Sequence, residues 1–181
     1  MTTPKSFWNF AVRTYRCEGV PEACIALQNE RGADVNVLLF CCWIGATRGE
    51  FEIETLDRVL EFSRAWADRV VRPLRSVRTW MKIEGCPDPG MPVESCTNLR
   101  ERIKKVELEA ERLQENTMQS MVDTLPGVTL SVTEQSRAAT LNLRRYCQAE
   151  GIDLDHETQT RLDIILQAAI PHGGSSRGGA R

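Results

Sequence analysis

The sequence predicts an all-α protein, a compact bundle of six to eight helices followed by a disordered C-terminal tail. Apolar residues recur at spacings of three and four along most of the chain, and no segment alternates apolar and polar with the period of two that a half-buried strand needs. Start and stop signals for helices also come in pairs, as in Glu18-Gly19-Val20-Pro21 and in Ser131 with Glu134.

Ser6 caps a first helix with Trp8, Ala11, Val12 and Tyr15 on one side, ending near Cys17. Pro21 suits the first turn of a second helix, in which Cys24 and Leu27 repeat and which Gly32 ends. Asp34 caps a third helix, Val35 to Ala46, which is apolar all round and so is expected to be buried on every side, with Arg48-Gly49 closing it. Its longest apolar run, Val37 to Ala46, is half of the roughly 20 residues a membrane-spanning helix needs, so it is a core element.

Residues 55–82 form one long helical pattern. At about 100° per residue, Trp66, Val70, Leu74, Val77, Trp80 and Met81 fall in one apolar stripe, and Arg69, Arg72, Arg75, Arg78 and Lys82 fan across the opposite side. Pro73 predicts a kink within this helix, because the apolar phase continues beyond it. Residues 85–97, with three prolines, are expected to be loop. Leu99, Ile103, Val106, Ala110 and Leu113 then form a heptad seam of about two repeats, on a helix that reaches about Val122 and is expected to pack along another helix. After Leu125-Pro126-Gly127, Ser131 and Glu134 open a helix through Ala139, Leu143 and Tyr146, which Gly151 stops. Asp155 caps the last helix, with Leu162, Ile165, Leu166 and Ala169 on one side and Pro171 after it. The resulting organisation is a helical domain over 6–125, a C-terminal hairpin over 131–170 packed on it, and a glycine-rich tail over 171–181.

The chain has 181 residues, 41% hydrophobic and 27% charged, in the range of soluble globular proteins. A net charge of −2 excludes a whole-protein field that would gather nucleic acid. The seven cysteines are odd in number and scattered, in a chain long enough to fold without a disulfide framework, which points to a reducing compartment. The opening Met-Thr-Thr-Pro-Lys-Ser has none of the parts of a signal peptide. The expected location is the cytoplasm.

Several ordered strings carry a resemblance: Phe7-Trp8-Asn9-Phe10, Cys24-Ile25-Ala26-Leu27-Gln28, Asp34 to Phe40 followed by Trp43, Trp66 with Val71-Arg72-Pro73-Leu74-Arg75 and Arg78, and Lys105-Val106-Glu107-Leu108 with Ala110-Glu111-Arg112. Over about residues 6–115 the chain resembles the proteobacterial family catalogued as domain of unknown function 2390, and Asn142-Leu143 with Tyr146 is similar to an extension many members carry. The resemblance brings over no catalytic residue, cofactor or partner. The glycine-rich tail departs from the family pattern.

Among the chemical features, the arginine fan is foremost. Residues 58–82 hold seven basic residues against two acidic ones, Glu61 and Asp68, and arginine offers a rigid fork of donors suited to carboxylate or phosphate. The fan is a solvated face, a face paired with acidic helices such as Glu150 to Asp163, a protein-docking surface or a nucleic-acid surface. Trp66 and Trp80 fall on the apolar side and so do not argue for base stacking. Asp34 and Asn36 cap the apolar helix or present an anion site at its N-terminus. Glu107, Glu111 and Glu115 recur every four residues, but the histidines of a di-metal bundle are absent, so they read as a solvated acidic face. Leu108 projects opposite the heptad seam, as a lone surface leucine or a contact for another helix. Cys41 and Cys42 read as buried inert thiols, no cysteine pair has zinc spacing, and His156 is a capping-region histidine. No catalytic residue, metal or cofactor is predicted.

The leading expectation is a module that binds another protein through Arg69, Arg72, Arg75, Arg78, Lys82 and Leu108. An alternative is an enzyme or binder of a small anionic ligand, with a pocket between helices lined by Asp34, Asn36, Arg75 and Arg78. A further alternative is nucleic-acid binding through the basic face.

Overall fold

The computed structural model describes residues 6–83, 85 and 90–171. Eight α-helices follow one another among them: α1 (Phe7–Tyr15), α2 (Val20–Arg31), α3 (Val35–Thr47), α4 (Ile53–Trp66), α5 (Arg72–Ile83), α6 (Val93–Ser120), α7 (Val132–Ala149) and α8 (His156–Ala169). A π-helical stretch, Ala67–Val71, joins α4 to α5, so the three run on as one continuous helix. No strand occurs among the described residues, and the all-α expectation holds. The predicted tail lies outside them from residue 172 onward. Of the loop predicted over 85–97, the part from Val93 is the first turn of α6.

The caps explain most boundaries. Ser6 accepts from the Asn9 amide, Asp155 from Thr158, and Ser131 and Glu134 form the reciprocal capping box. Gly32 ends α2 at a φ of 70°, in the left-handed region that glycine enters without penalty.

Helix α3 is the centre. Its ten residues from Val37 to Ala46 are all buried, and α1, α2, α6, α7 and α8 pack around it. Phe7, Phe40, Trp43 and Phe51 form an aromatic cluster with ring centroids 5.0 to 5.7 Å apart. On the other side α7 approaches so closely that a methyl group on Gly45 would lie 2.4 Å from the Ala139 backbone nitrogen. Asn142 reinforces this contact by accepting from the Phe51 amide and donating to the Cys41 and Gly49 carbonyls. Cys41 and Cys42 lie in this core, where burial pushes the Cys42 thiol up to about 12, so they are inert as expected. Cys17, Cys24 and Cys147 are also free thiols. Cys96 is disulfide-bonded, which does not fit the reducing compartment that the scattered cysteines suggest.

Two expectations about the long helices fail together. The apolar stripe was extended past Pro73 at a constant angle per residue, but the wider π turn, closed by the Arg72 amide on the Ala67 carbonyl, effectively inserts one residue and turns the downstream face by about 100°. A proline ring cannot sit against the carbonyl four residues back in a regular turn, and the wider turn lets the helix pass it. Val77 and Trp80 are consequently exposed, whereas Arg75 and Arg78 turn toward α6. On α6 the predicted seam fails in part: Leu99, Val106 and Leu113 are exposed, Ile103 is half-buried and Ala110 buried as expected, while Glu107, Gln114, Glu115 and Met118 are buried as well. The glutamate row is therefore not a solvated face.

Substituting Gly45→Ala is expected to lower stability by about 1–3 kcal/mol, because backbone atoms of Ala139 must move to admit the methyl group. Urea unfolding of the two proteins measures the difference.

Candidate functional site

The sequence of α3 creates the first polar cluster, because an apolar helix still has amides at its N-terminus that need acceptors. Asp34 supplies one oxygen to the Asn36 and Val37 amides, and its other oxygen accepts from Ser63 of α4 and Gln114 of α6, each at 2.7 Å. The Asp34 amide donates to the Tyr146 hydroxyl of α7, and Asn36 donates to Gln114 at 2.9 Å. Four helices thus meet at one residue, three of them at its carboxylate and α7 at its amide. Asp34 is a cap with both oxygens in use, and the capping alternative is the one the structure supports.

The second cluster explains the burial of α6's glutamates. Arg75 bridges Glu107 at 3.0 Å and Glu111 at 2.6 Å and reaches Gln28 of α2. Arg78 holds both oxygens of Glu107. Burial alone would raise the Glu107 carboxyl, but hydrogen bonds from Arg78 and Arg75 hold it below the ordinary range. Glu111 goes the other way, raised by burial against the pull of Arg75.

Beside these clusters lies a cleft of about 270 Å³ bounded by α1, α2, α3, α5 and α6. Trp8, Val12 and Tyr15 line it from α1, Ile25 from α2 and Leu39 from α3. Polar groups converge from other directions: Gln28, Asn36, Arg75, Glu111 and Glu115. Leu108 stands at the opening, exposed yet part of the lining. Glu115 is 4% exposed, and its Oε2 has no hydrogen-bond partner among the described residues. Burial first, then the charges of Glu111 and Asp34, push its carboxyl up to about 8 against the opposing effect of Arg112. Arg112 itself lies over the Trp8 ring, 5.1 Å from its centroid.

The structure divides the residues singled out from sequence. Asn36, Arg75 and Leu108 meet at the cleft. Asp34 lies behind it in a smaller neighbouring hollow, and Arg78 is engaged with Glu107 outside the cleft lining. Arg69, Arg72 and Lys82 are exposed, with Arg72 paired to Asp68 one turn away. The arginines do pair with acidic residues of another helix, but that helix is α6; the acidic segment from Glu150 takes Arg64 instead. Glu115 was missed as a site residue. Its spacing of four from Glu111 was visible, but only the inward turn of α6 distinguishes it from a surface glutamate. No group of His, Cys, Asp or Glu among the described residues is arranged to hold a metal ion, and no helix among them is long and apolar enough to cross a membrane.

Fold and site together define a class, an all-α helical protein with a polar-sided cleft beside a fully enclosed central helix. The chain belongs to the DUF2390 family, proteins of unknown function, whose family model matches residues 6–118 and so covers α1 to α5 and nearly all of α6. It matches no curated protein and no solved structure.

The raised carboxyl of Glu115 has a stability consequence. From about 4.5, its ordinary value, to about 8, the folded chain keeps a proton that the unfolded chain has lost, so this group's contribution to stability falls as pH rises across that window. Glu115→Gln is expected to remove that fall and to be more stable than the native chain at pH 8 by a few kcal/mol, on the order of a few pKa units of linkage. Chemical denaturation of both proteins across the window checks it.

Proposed function

We propose that this protein binds a small organic ligand in the cleft between α1, α2, α3 and α6. The observation that carries the reading is the cleft itself: apolar walls from α1, α2 and α3 against a set of convergent polar side chains, one of them buried and unsatisfied. Its position supports the same reading, since it opens against the polar layer that fixes α3, α4, α6 and α7, and a site held by packed helices is preorganised. Arg75 and Asn36 line the cleft, Arg75 already paired with Glu107 and Glu111.

A small-molecule screen read by NMR is expected to give compounds that shift the Trp8 indole and Asn36 side-chain resonances. Ile25→Trp at the half-exposed rim is expected to weaken them about tenfold by filling the opening, a cost of about 1.4 kcal/mol. A broad screen with no compound shifting those resonances, or undiminished binding to Ile25→Trp, contradicts the reading.

A second reading, docking of a protein partner on the α5–α6 pair, is favoured by one observation. Helix α5 buries none of its residues, and Val77, Trp80, Ile83, Leu99 and Leu113 stand exposed on the pair with Arg69, Arg72 and Lys82 nearby in sequence. Reversal of these three basic residues leaves the Arg75 and Arg78 ion pairs in place. Affinity capture with nuclease treatment is expected to recover a protein with the native chain and lose it with the triple reversal; identical recovery from both contradicts this reading.

A further inference from the structure

We propose that the ligand the cleft is built for is an organic amine, an apolar body carrying a protonated nitrogen that binds Glu115. The inference rests on the reading of the cleft as a ligand site and specifies its chemistry. The charges inside divide unevenly. Arg75 and Arg78 are taken up by Glu107 and Glu111, and both oxygens of Asp34 accept hydrogen bonds from neighbours. Glu115 is what remains: a residue of the cleft lining, 4% exposed, whose Oε2 is buried with no hydrogen-bond partner among the described residues. A buried carboxyl oxygen without a hydrogen-bond partner is costly, and a ligand that supplies one recovers that cost.

An anion has little to meet in the interior. The one arginine lining the cleft from within is neutralised on two sides, and Arg16 and Arg112 are exposed. The walls specify the rest of the ligand. Tyr15 lines the same cleft as the acid and offers a ring to a cation, Trp8 already carrying Arg112 over its ring, and Leu39, Val12 and Ile25 call for an apolar body. The volume of about 270 Å³ is many times what a single water molecule needs, so the cleft has room for a small organic body.

Binding has a proton balance. In the empty cleft the Glu115 carboxyl keeps its proton at neutral pH; the ammonium group displaces it, leaving a carboxylate–ammonium pair and one proton released to solvent. The charged and titratable groups around Glu115 are Glu111 and Arg112 on its own helix, Asp34 before α3, Arg75 from α5, and Tyr15 and Arg16 from α1. Of these Glu111 and Tyr15 are also raised by burial, Glu111 against the pull of Arg75.

The test is titration of the whole chain, by calorimetry and by NMR at the Trp8 indole, with phenethylamine and its neutral and anionic counterparts, phenethyl alcohol and phenylacetate. Phenethylamine is expected to bind at least about tenfold more tightly than either counterpart at about pH 8.5, to weaken by about tenfold or more at about pH 6.5, and to release a proton seen as a buffer-dependent heat. Glu115→Gln, close to isosteric and freed of a buried acid, is expected to fold at least as stably and to lose both the amine preference and the pH dependence. Equal or tighter binding of the alcohol or the acid at the Trp8 cleft, an amine affinity independent of pH, or a preference that survives Glu115→Gln overturns the proposal while leaving a ligand site in place. If none of the three shifts the cleft resonances at any pH, the proposal and the ligand-site reading fall together.

Discussion

Helix α3 has no polar side chain between Val37 and Ala46, and everything else in the bundle follows from having to enclose it. A helix that is apolar on all sides cannot lie on a surface, so five others are drawn around it. Enclosure then raises the problem of its N-terminus, where free amides would be buried without acceptors. Asp34 answers it and, with a second oxygen to spare, ties Ser63 and Gln114 to the same point. The cleft stands where this polar layer meets the apolar wall of α1. Its place in the fold is thus a consequence of how the central helix is capped.

A helix that brings Gln114 to Asp34 also brings Glu107, Glu111 and Glu115 inward, since all four lie within about one face of α6. Buried carboxylates destabilise unless paired. The π turn ahead of Pro73 turns Arg75 and Arg78 toward two of them, and the third is left uncompensated at the cleft. Helices α5 and α6 face each other through ion pairs, and Val77, Trp80, Leu99, Val106 and Leu113 are left exposed on the pair. Position, pairing and the one unpaired acid are parts of a single arrangement.

What could be read from sequence was what neighbours along the chain decide. Ser6, Asp34, the Ser131–Glu134 box and Asp155 each act within three residues, and each cap is where the residue types place it. The all-round apolarity of α3 also needs no partner to be recognised. The faces of α5 and α6 were misread for a physical reason: periodicity gives the width of an apolar stripe but assumes a constant turn, and five π-helical residues break that assumption. The heptad seam of α6 was a real pattern, but ion pairs between residues 29 to 36 positions apart outweighed it. Asn36 and Arg75 were legible as pocket residues because polar groups flank the most apolar helix. Glu115 was not, because its burial beside α1 and α3 cannot be read from Glu111 and Arg112, its neighbours on α6.

The inward turn of α6 is the claim on which the cleft, the ion pairs and the unpaired acid all rest. It is tested most directly by carbon-detected NMR titration of the glutamate side-chain carboxyls in the unliganded chain. The account predicts three separate values along one helix, with Glu107 below its ordinary 4.5, Glu111 above it and Glu115 near 8. Three titrations together near 4.5 would mean a solvated acidic face, with α6 turned outward and no buried carboxylate in the cleft.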